Sequence, residues 1–150
     1  MDATGRPPSV TVSDEQNVAV DIALLSSAAG AALVALGVPP KASVSITLVD
    51  PARIARLKGE AFGIHHETDV LAFPMDDPSD PMPGPIVLGE LVICPAVAAR
   101  QARGLGIAFA DEMRHLVVHG LLHLCGRDHV GARAELAMAA EERLLLAVGA

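Results

Sequence analysis

The chain has 150 residues, of which 51% are apolar and 19% charged, and its formal net charge is −7. This is one domain's worth of sequence, and its composition excludes a largely disordered chain, while the acidic balance argues against nonspecific coating of nucleic acid. With no Trp, no Tyr and three Phe, the core must be aliphatic, and an RNA-binding sheet covered by several aromatic rings is excluded.

The first third of the chain predicts two strands with a helix between them. Ser9–Ser13 and Ser43–Val49 alternate in the way that strands do. Between them, a helix is predicted that starts from a cap at Asn17 and ends near Leu36, with Gly37 as its C-terminal cap, and no residue from Ile22 to Pro40 is charged. This stretch is rich in Ala, Ser and Gly, so we expect a buried helix and not a membrane span.

A second helix is predicted to begin directly after the second strand. Asp50 can cap it and Pro51 suits its first turn. Its spacing turns Ile54 and Leu57 inward, with Phe62 as a further inward candidate.

The rest of the chain predicts two more strands and three more helices. Asp69–Pro74 and Ile86–Ile93 indicate strands, the second interrupted at Gly89 and Glu90, and the segment between them indicates an exposed acidic loop. The helices are predicted over Pro95–Arg103, Phe109–Cys125 and Ala132–Val148. We therefore predict a single-domain α+β fold over residues 1–150, in which about five helices cover a small mixed sheet of about four strands and residues 1–8 form a flexible tail.

The most informative segment is HGLLHLCGRDH, which begins at His119. His119 and His123 are four residues apart, so a helix projects both from one face, as two ligands of one metal ion require. Gly126 permits a left-handed turn that ends the helix and brings His129 back as a third ligand. Three His ligands leave a position for a water molecule, whose pKa the metal lowers towards 7, which predicts metal-assisted hydrolysis.

Other residues near this segment are candidates for supporting roles. His115 lies one turn before His119 and is either a site residue or a packing histidine. Asp128 can orient a ligand imidazole or cap the turn, and Arg127 can reach a phosphate or lie in solvent. Other basic residues either line a groove or belong to solvated helix faces: Arg53, Arg56, Lys58, Arg100, Arg103 and Arg114.

A metallopeptidase is a less favoured alternative. The histidine spacing is similar to that of the long zinc-protease motif, but Gly120 occupies the position where that motif places its general base Glu. Cys94 and Cys125 do not make a disulfide framework and predict two reduced thiols of a cytosolic protein.

Three ordered motifs carry a resemblance to a known family. The segment from His119 resembles the HGxLHLxGxDH signature of the YbeY family of rRNA maturation endoribonucleases. TDVLAFP, which begins at Thr68, and LGELVICP, which begins at Leu88, resemble two further motifs of that family in the same order. The likeness covers roughly Ser43–Leu146.

The resemblance implies a fold, a cofactor and an activity. It implies a single-domain α+β protein that holds one zinc ion per chain through His119, His123 and His129. It implies cleavage of single-stranded RNA in 16S rRNA 3′-end maturation and in ribosome quality control, in the cytoplasm, with the small ribosomal subunit and its proteins as partners. We expect neither a membrane nor DNA as a partner. A nonenzymatic ribosome-assembly factor with a structural zinc is the alternative.

The sequence departs from the family pattern around the metal ligands. Phe62 lies where many members carry an Arg, Glu90 replaces the usual Asp, and Arg127 replaces a frequent Tyr. His65 and Glu67 likewise replace a common Asp and Pro. The predicted metal ligands are complete, whereas the residues that would face the substrate are altered. Glu90 could pair with His115 or with an Arg.

Overall fold

The computed structural model describes residues 6–79, 83–126 and 142–147. The predicted α+β fold is confirmed, with four strands and five helical segments within these ranges. The strands are β1 (Ser9–Asp14), β2 (Ala42–Leu48), β3 (Val70–Pro74) and β4 (Ile86–Ile93). The helices are α1 (Ile22–Ala35), α2 (Pro51–Phe62), α3 (Pro95–Leu105) and α4 (Phe109–Leu124), and residues 142–147 form a further helical segment, α5.

The four strands form one mixed sheet in the order β1-β2-β4-β3. β1 and β4 both run parallel to β2, whereas β3 runs antiparallel to β4. Helices provide the crossovers that the parallel pairs require. β3 is thus an edge strand, and it forms one wall of the site described below.

The interruption predicted at Gly89 and Glu90 is a β-bulge within a continuous strand. Ser43 pairs with Val87 but Val44 pairs with Gly89, so Leu88 is an extra residue on β4. An extra residue reverses the alternation of side chains beyond it. Apolar residues on both sides of the bulge therefore reach the same core: Ile86, Leu88, Leu91 and Ile93.

The two faces of the sheet bury two apolar clusters of unequal size. The larger cluster packs α1 and α4 against β2 and β4, and it includes Leu33, Ile46 and Leu121, which are fully buried. The smaller cluster, on the face to which Leu71 and Val92 point, includes residues of α2 and α3. All of the largest buried side chains are aliphatic or Met, as the composition requires.

The first helix begins later than predicted. Asp21, not Asn17, is the N-cap of α1, and its carboxylate accepts a hydrogen bond from the Leu24 backbone N–H at 3.0 Å. The side-chain amide of Gln16 bonds both the N–H and the C=O of Val18, which satisfies the backbone of the preceding bend without a helix. In the described ranges, no helix is both long enough and apolar enough to cross a membrane.

The second helix begins as predicted, but its last residue faces outward. Asp50 caps α2 by accepting a hydrogen bond from the Arg53 N–H at 2.8 Å, and Ile54 is fully buried. Phe62, which the periodicity offered as an inward residue, is 55% exposed. It is the last residue before Gly63, whose left-handed backbone ends the helix.

Candidate metal centre

Three histidines lie along one face of α4, at intervals of four residues. His115, His119 and His123 are all partly exposed, and the rings of His119 and His123 are 4.7 Å apart between centroids. The opposite face of α4 is held in the larger core by buried residues: Met113, Leu116, Val117, Gly120, Leu121 and Leu124. Burial of that face fixes the rotation of the helix and so directs the histidines towards the opening beside β3.

The helix ends where the sequence indicates. Gly126 has a φ of +82° and its N–H donates to the carbonyl of His123 at 3.0 Å, which closes the last turn in a left-handed conformation. The other predicted site residues of this segment, Arg127, Asp128 and His129, lie outside the described residues.

Glu142 of α5 bonds two of the histidines at once. Its Oε1 lies 2.6 Å from Nδ1 of His119, and its Oε2 lies 3.0 Å from Nε2 of His115. An ionised carboxylate only accepts hydrogen bonds, so Nδ1 of His119 is the donor to Glu142, and its Nε2 is turned to Nε2 of His123. This is the arrangement by which a carboxylate orients a metal-binding imidazole.

The distance between His119 and His123 fits a shared ion. Their Nε2 atoms are 3.1 Å apart. Two nitrogen ligands at about 2.0–2.1 Å from a tetrahedral zinc ion are separated by about 3.3 Å, so the two imidazoles are close to the spacing that one zinc ion needs.

His115 lies between two carboxylates. Its Nδ1 is 3.2 Å from Glu112, which is only 3% exposed, and its Nε2 faces Glu142. Burial opposes a charge on this ring, but the hydrogen bonds to Glu112 and Glu142 and the charges of both carboxylates outweigh it and raise the pKa of His115 above its usual value. His115 thus lines the cavity between two acidic partners, and the pairing with Glu90 is not formed.

A second grouping of donor atoms is also present. One ligand atom each from His115, His119 and Glu142 lie within 4.8 Å of one another, so these three residues could hold a metal ion. If these three residues held the ion, they would lose the hydrogen bonds that they now make with one another.

The histidines open into a cavity of about 890 Å³ between α4, β3 and the loop that follows β3. This volume lies in the range of small-molecule sites. The described residues lining the cavity include three acidic groups, Asp69, Asp76 and Asp77, and no Lys or Arg. Exposed Phe62 and Met75 form an apolar part of the wall.

The basic residues considered as a groove do not line this cavity within the described ranges. Arg53 and Arg100 pair with Glu15 and Glu67, which are exposed carboxylates. The Nη2 of Arg114 donates to the carbonyl of Leu146 at 2.9 Å, so this side chain attaches α5 to α4. Three of the six basic residues that were candidates for a groove therefore make contacts within the fold instead.

Close packing explains the glycine at position 120. A Cβ atom at Gly120 would lie 2.7 Å from Cδ2 of Leu91, which is fully buried in β4. A glutamate side chain there would have to displace the core. A glutamate at this position, the general base of the zinc-protease motif, would therefore require Leu91 to move, which argues further against a peptidase.

Two site residues were missed in the sequence, and one expected pair is different. Glu112 and Glu142 were not identified. Glu112 lies three residues before His115, a spacing at which helical side chains meet, so this partner could have been found from the sequence, whereas Glu142 lies 23 residues after His119. Glu90 is half-buried and accepts a hydrogen bond from Thr47 Oγ1 at 3.4 Å instead of meeting His115.

Comparison with known proteins assigns the family. A sequence profile described as Endoribonuclease YbeY matches residues 11–148. Proteins named Endoribonuclease YbeY from Salinispora tropica and Mycolicibacterium gilvum are 41% and 39% identical to this chain, over 93% and 92% of it and over 94% and 81% of their own lengths.

The fold is also found in a solved structure. A solution structure of a protein from Thermotoga maritima has a TM-score of 0.66 and 23% identity, and the match covers 93% of this chain and 88% of that one. The structural match shows the fold alone, whereas the family profile and the relatives show that the chain belongs to the YbeY endoribonuclease family.

Proposed function

We propose that this protein is a cytoplasmic, zinc-dependent endoribonuclease that cleaves single-stranded RNA during maturation of the 16S rRNA 3′ end and in ribosome quality control. The observation that carries the proposal is the convergence of the His119 and His123 Nε2 atoms, 3.1 Å apart, on the wall of a cavity of about 890 Å³. Membership of an endoribonuclease family supports RNA as the substrate class.

We assign His119, His123 and His129 as the metal ligands. An imidazole binds one ion through one nitrogen, and Nδ1 of His119 is already turned to Glu142 at 2.6 Å. Both nitrogens of His115 likewise face carboxylates. These hydrogen bonds favour the Nε2 atoms of His119 and His123 over the grouping that uses Glu142 itself as a ligand.

A bound zinc ion would supply Lewis acidity and a hydrolytic nucleophile near neutral pH. The chain's own residues prepare the cavity for this chemistry. Glu142 holds His119 in the tautomer with Nε2 directed into the cavity, and His115, whose pKa is raised, is placed beside it to hold or deliver a proton. Arg127 and Asp128 follow the end of α4 at Gly126 and remain our candidates for phosphate contact and imidazole orientation.

The partners follow from the substrate. RNA carries one negative charge per phosphate, whereas the described cavity wall is acidic, so the metal ion and Arg127 are the positive groups that we assign to the scissile phosphate. We place the protein on the small ribosomal subunit, where the 3′ end of 16S rRNA is exposed.

The decisive experiment combines metal content with cleavage. We expect about one zinc ion per chain in the purified protein, loss of the ion and of cleavage of a single-stranded 16S 3′-end RNA in His123→Ala, and no cleavage of the same RNA in a duplex. His66→Ala is the matched control, since His66 is an exposed histidine that does not line the cavity. A protein that binds zinc but leaves every RNA intact would overturn the endoribonuclease proposal.

A further inference from the structure

Two of the three phenylalanines of the chain stack on each other, and one of them, Phe62, lines the histidine cavity. Phe62 ends α2 and Phe73 lies in β3, and their rings are 6.1 Å apart between centroids and inclined by only 19°. Phe73 packs against the smaller core, whereas Phe62 is 55% exposed and lines the cavity. One ring is therefore anchored, and the other stacks on it with much of its surface open.

Such exposure is unusual for an aromatic ring in a chain so poor in aromatics. A phenylalanine on the surface loses the apolar contacts that it would make in a core. Here the partly buried ring of Phe73 supports the exposed one, and Gly63 fixes the end of the helix directly after it. Phe62 thus presents an exposed ring, supported by a partly buried one, on the wall of the cavity that the predicted metal ligands His119 and His123 also line.

We propose that the exposed face of Phe62 stacks a single nucleobase of the RNA substrate, next to the phosphate that reaches the histidines. This inference rests on the proposed endoribonuclease function and adds a residue that positions the substrate. Aromatic rings bind bases of single-stranded RNA by stacking, whatever the base, and purines offer the larger surface. The composition excludes a platform of many rings, but a single stack needs only this pair.

The charge of the cavity makes stacking more important in this protein. The described cavity wall contains Asp69, Asp76 and Asp77 and no Lys or Arg, so it gives the phosphates little attraction. Stacking carries no charge and is not screened by salt. We therefore expect the contribution of Phe62 to RNA affinity to be similar at low and high salt.

The first test uses Phe62→Trp as a spectroscopic reporter. The chain contains no other Trp, so its fluorescence reports this position alone. We expect single-stranded oligoadenylate to quench the emission to saturation, and an oligomer without bases to quench much less. Leu105→Trp is the matched control, because Leu105 is 68% exposed and does not line the cavity. Equal quenching of both variants, or no quenching of Phe62→Trp by RNA that binds, would overturn the stack.

The second test measures cleavage with the metal-loaded protein. We expect Phe62→Leu to raise KM for single-stranded RNA on the order of tenfold, to leave kcat within about twofold, and to keep the zinc content unchanged. Phe62→Tyr restores a ring and should restore KM. If the unaltered protein cleaves RNA and Phe62→Leu cleaves it with the same KM, the stack is wrong and the nuclease proposal stands. If the unaltered protein cleaves no RNA, the proposed function fails first, and fluorescence quenching alone decides the stack.

Discussion

Nδ1 of His119 lies 2.6 Å from Oε1 of Glu142, a residue 23 positions further along the chain. The contact connects the helix that carries the histidines to the helical segment α5, and it decides which nitrogen of His119 can bind a metal. The same carboxylate also bonds His115, so one side chain orients two imidazoles.

Replacing Glu142 tests how the metal is held. We expect Glu142→Gln to lower zinc affinity by about 10–100-fold, because the amide orients His119 less well but removes no ligand. His123→Ala should abolish tight binding, whereas His115→Ala should leave it nearly intact. Competition with a chromogenic chelator gives the affinities.

The control for this series is Glu60→Gln, on the exposed surface of α2. The alternative grouping makes the opposite forecast, since Glu142 and His115 would be ligands there and His123 would not. Tight zinc binding by His123→Ala together with its loss in His115→Ala would reject our ligand assignment.

Gly120 should tolerate no side chain while Leu91 keeps its present position. We expect Gly120→Ala to lower the free energy of unfolding by about 1–3 kcal/mol, because the new methyl group overlaps Cδ2 of Leu91. Denaturant titration measures the change. The double variant Gly120→Ala with Leu91→Val removes the overlapping atoms, so its cost should be less than the sum of the two single costs. Simple additivity would contradict the overlap.

Adding a side chain at Gly89 should cost more stability than adding one at Gly120, because the obstructing atoms at Gly89 belong to the backbone of β3. Its φ is +142°, and a Cβ atom would lie 2.2 Å from the carbonyl oxygen of Phe73. We expect Gly89→Ala to cost at least about 2 kcal/mol of stability, since both the backbone conformation and the pairing with β3 would be lost. The unfolding temperature of Gly89→Ala is compared with that of Gly104→Ala, because Gly104 lies in a helix and a Cβ atom there meets only open space. Equal unfolding temperatures would refute this account of the bulge.

The two cysteines should differ in reactivity. Burial is the main cause that raises the pKa of Cys94, although hydrogen bonds from the Val97 and Ala96 N–H groups act against it. Because only the thiolate is nucleophilic, Cys94 should resist iodoacetamide at mildly alkaline pH and begin to react only at higher pH. Cys125 is half-buried on the cavity wall and should react first.

Peptide mass spectrometry after timed alkylation measures both sites in one sample. Denatured protein is the control, in which the two thiols should react at similar rates. Modification of Cys94 as fast as Cys125 in the native protein would contradict the burial of that thiol.

The elements of the fold could be predicted from sequence because their signals are local. Alternation identified β1 and β2, and Asp50 with Pro51 identified the start of α2. The start of α1 was wrong, because Asn17 and Asp21 are equally suitable caps and the choice depends on how Gln16 bonds the backbone of Val18. Strand directions and the bulge at Leu88 depend on pairing across the sheet, which one sequence does not encode locally.

Some residues of the candidate site could likewise be predicted from local sequence signals, and others could not. His119, His123 and the turn at Gly126 follow from helical spacing and from the need for a left-handed residue. Glu142 could not be found in this manner, because its position depends on how α5 docks on α4. The outward direction of Phe62 was also missed, since helical periodicity places it near the apolar side while the helix ends before the core covers it.

The attachment of α5 to α4 has a consequence for local unfolding. Glu142 bonds His115 and His119, Leu146 accepts from Arg114, and Leu145 is buried in the larger core. Detachment of this segment would withdraw the carboxylate that orients His119, so an ion that favours the oriented histidine also favours the docked segment. We therefore expect added zinc to slow amide hydrogen exchange across residues 142–147, although none of the ligands that we assign lies in this segment.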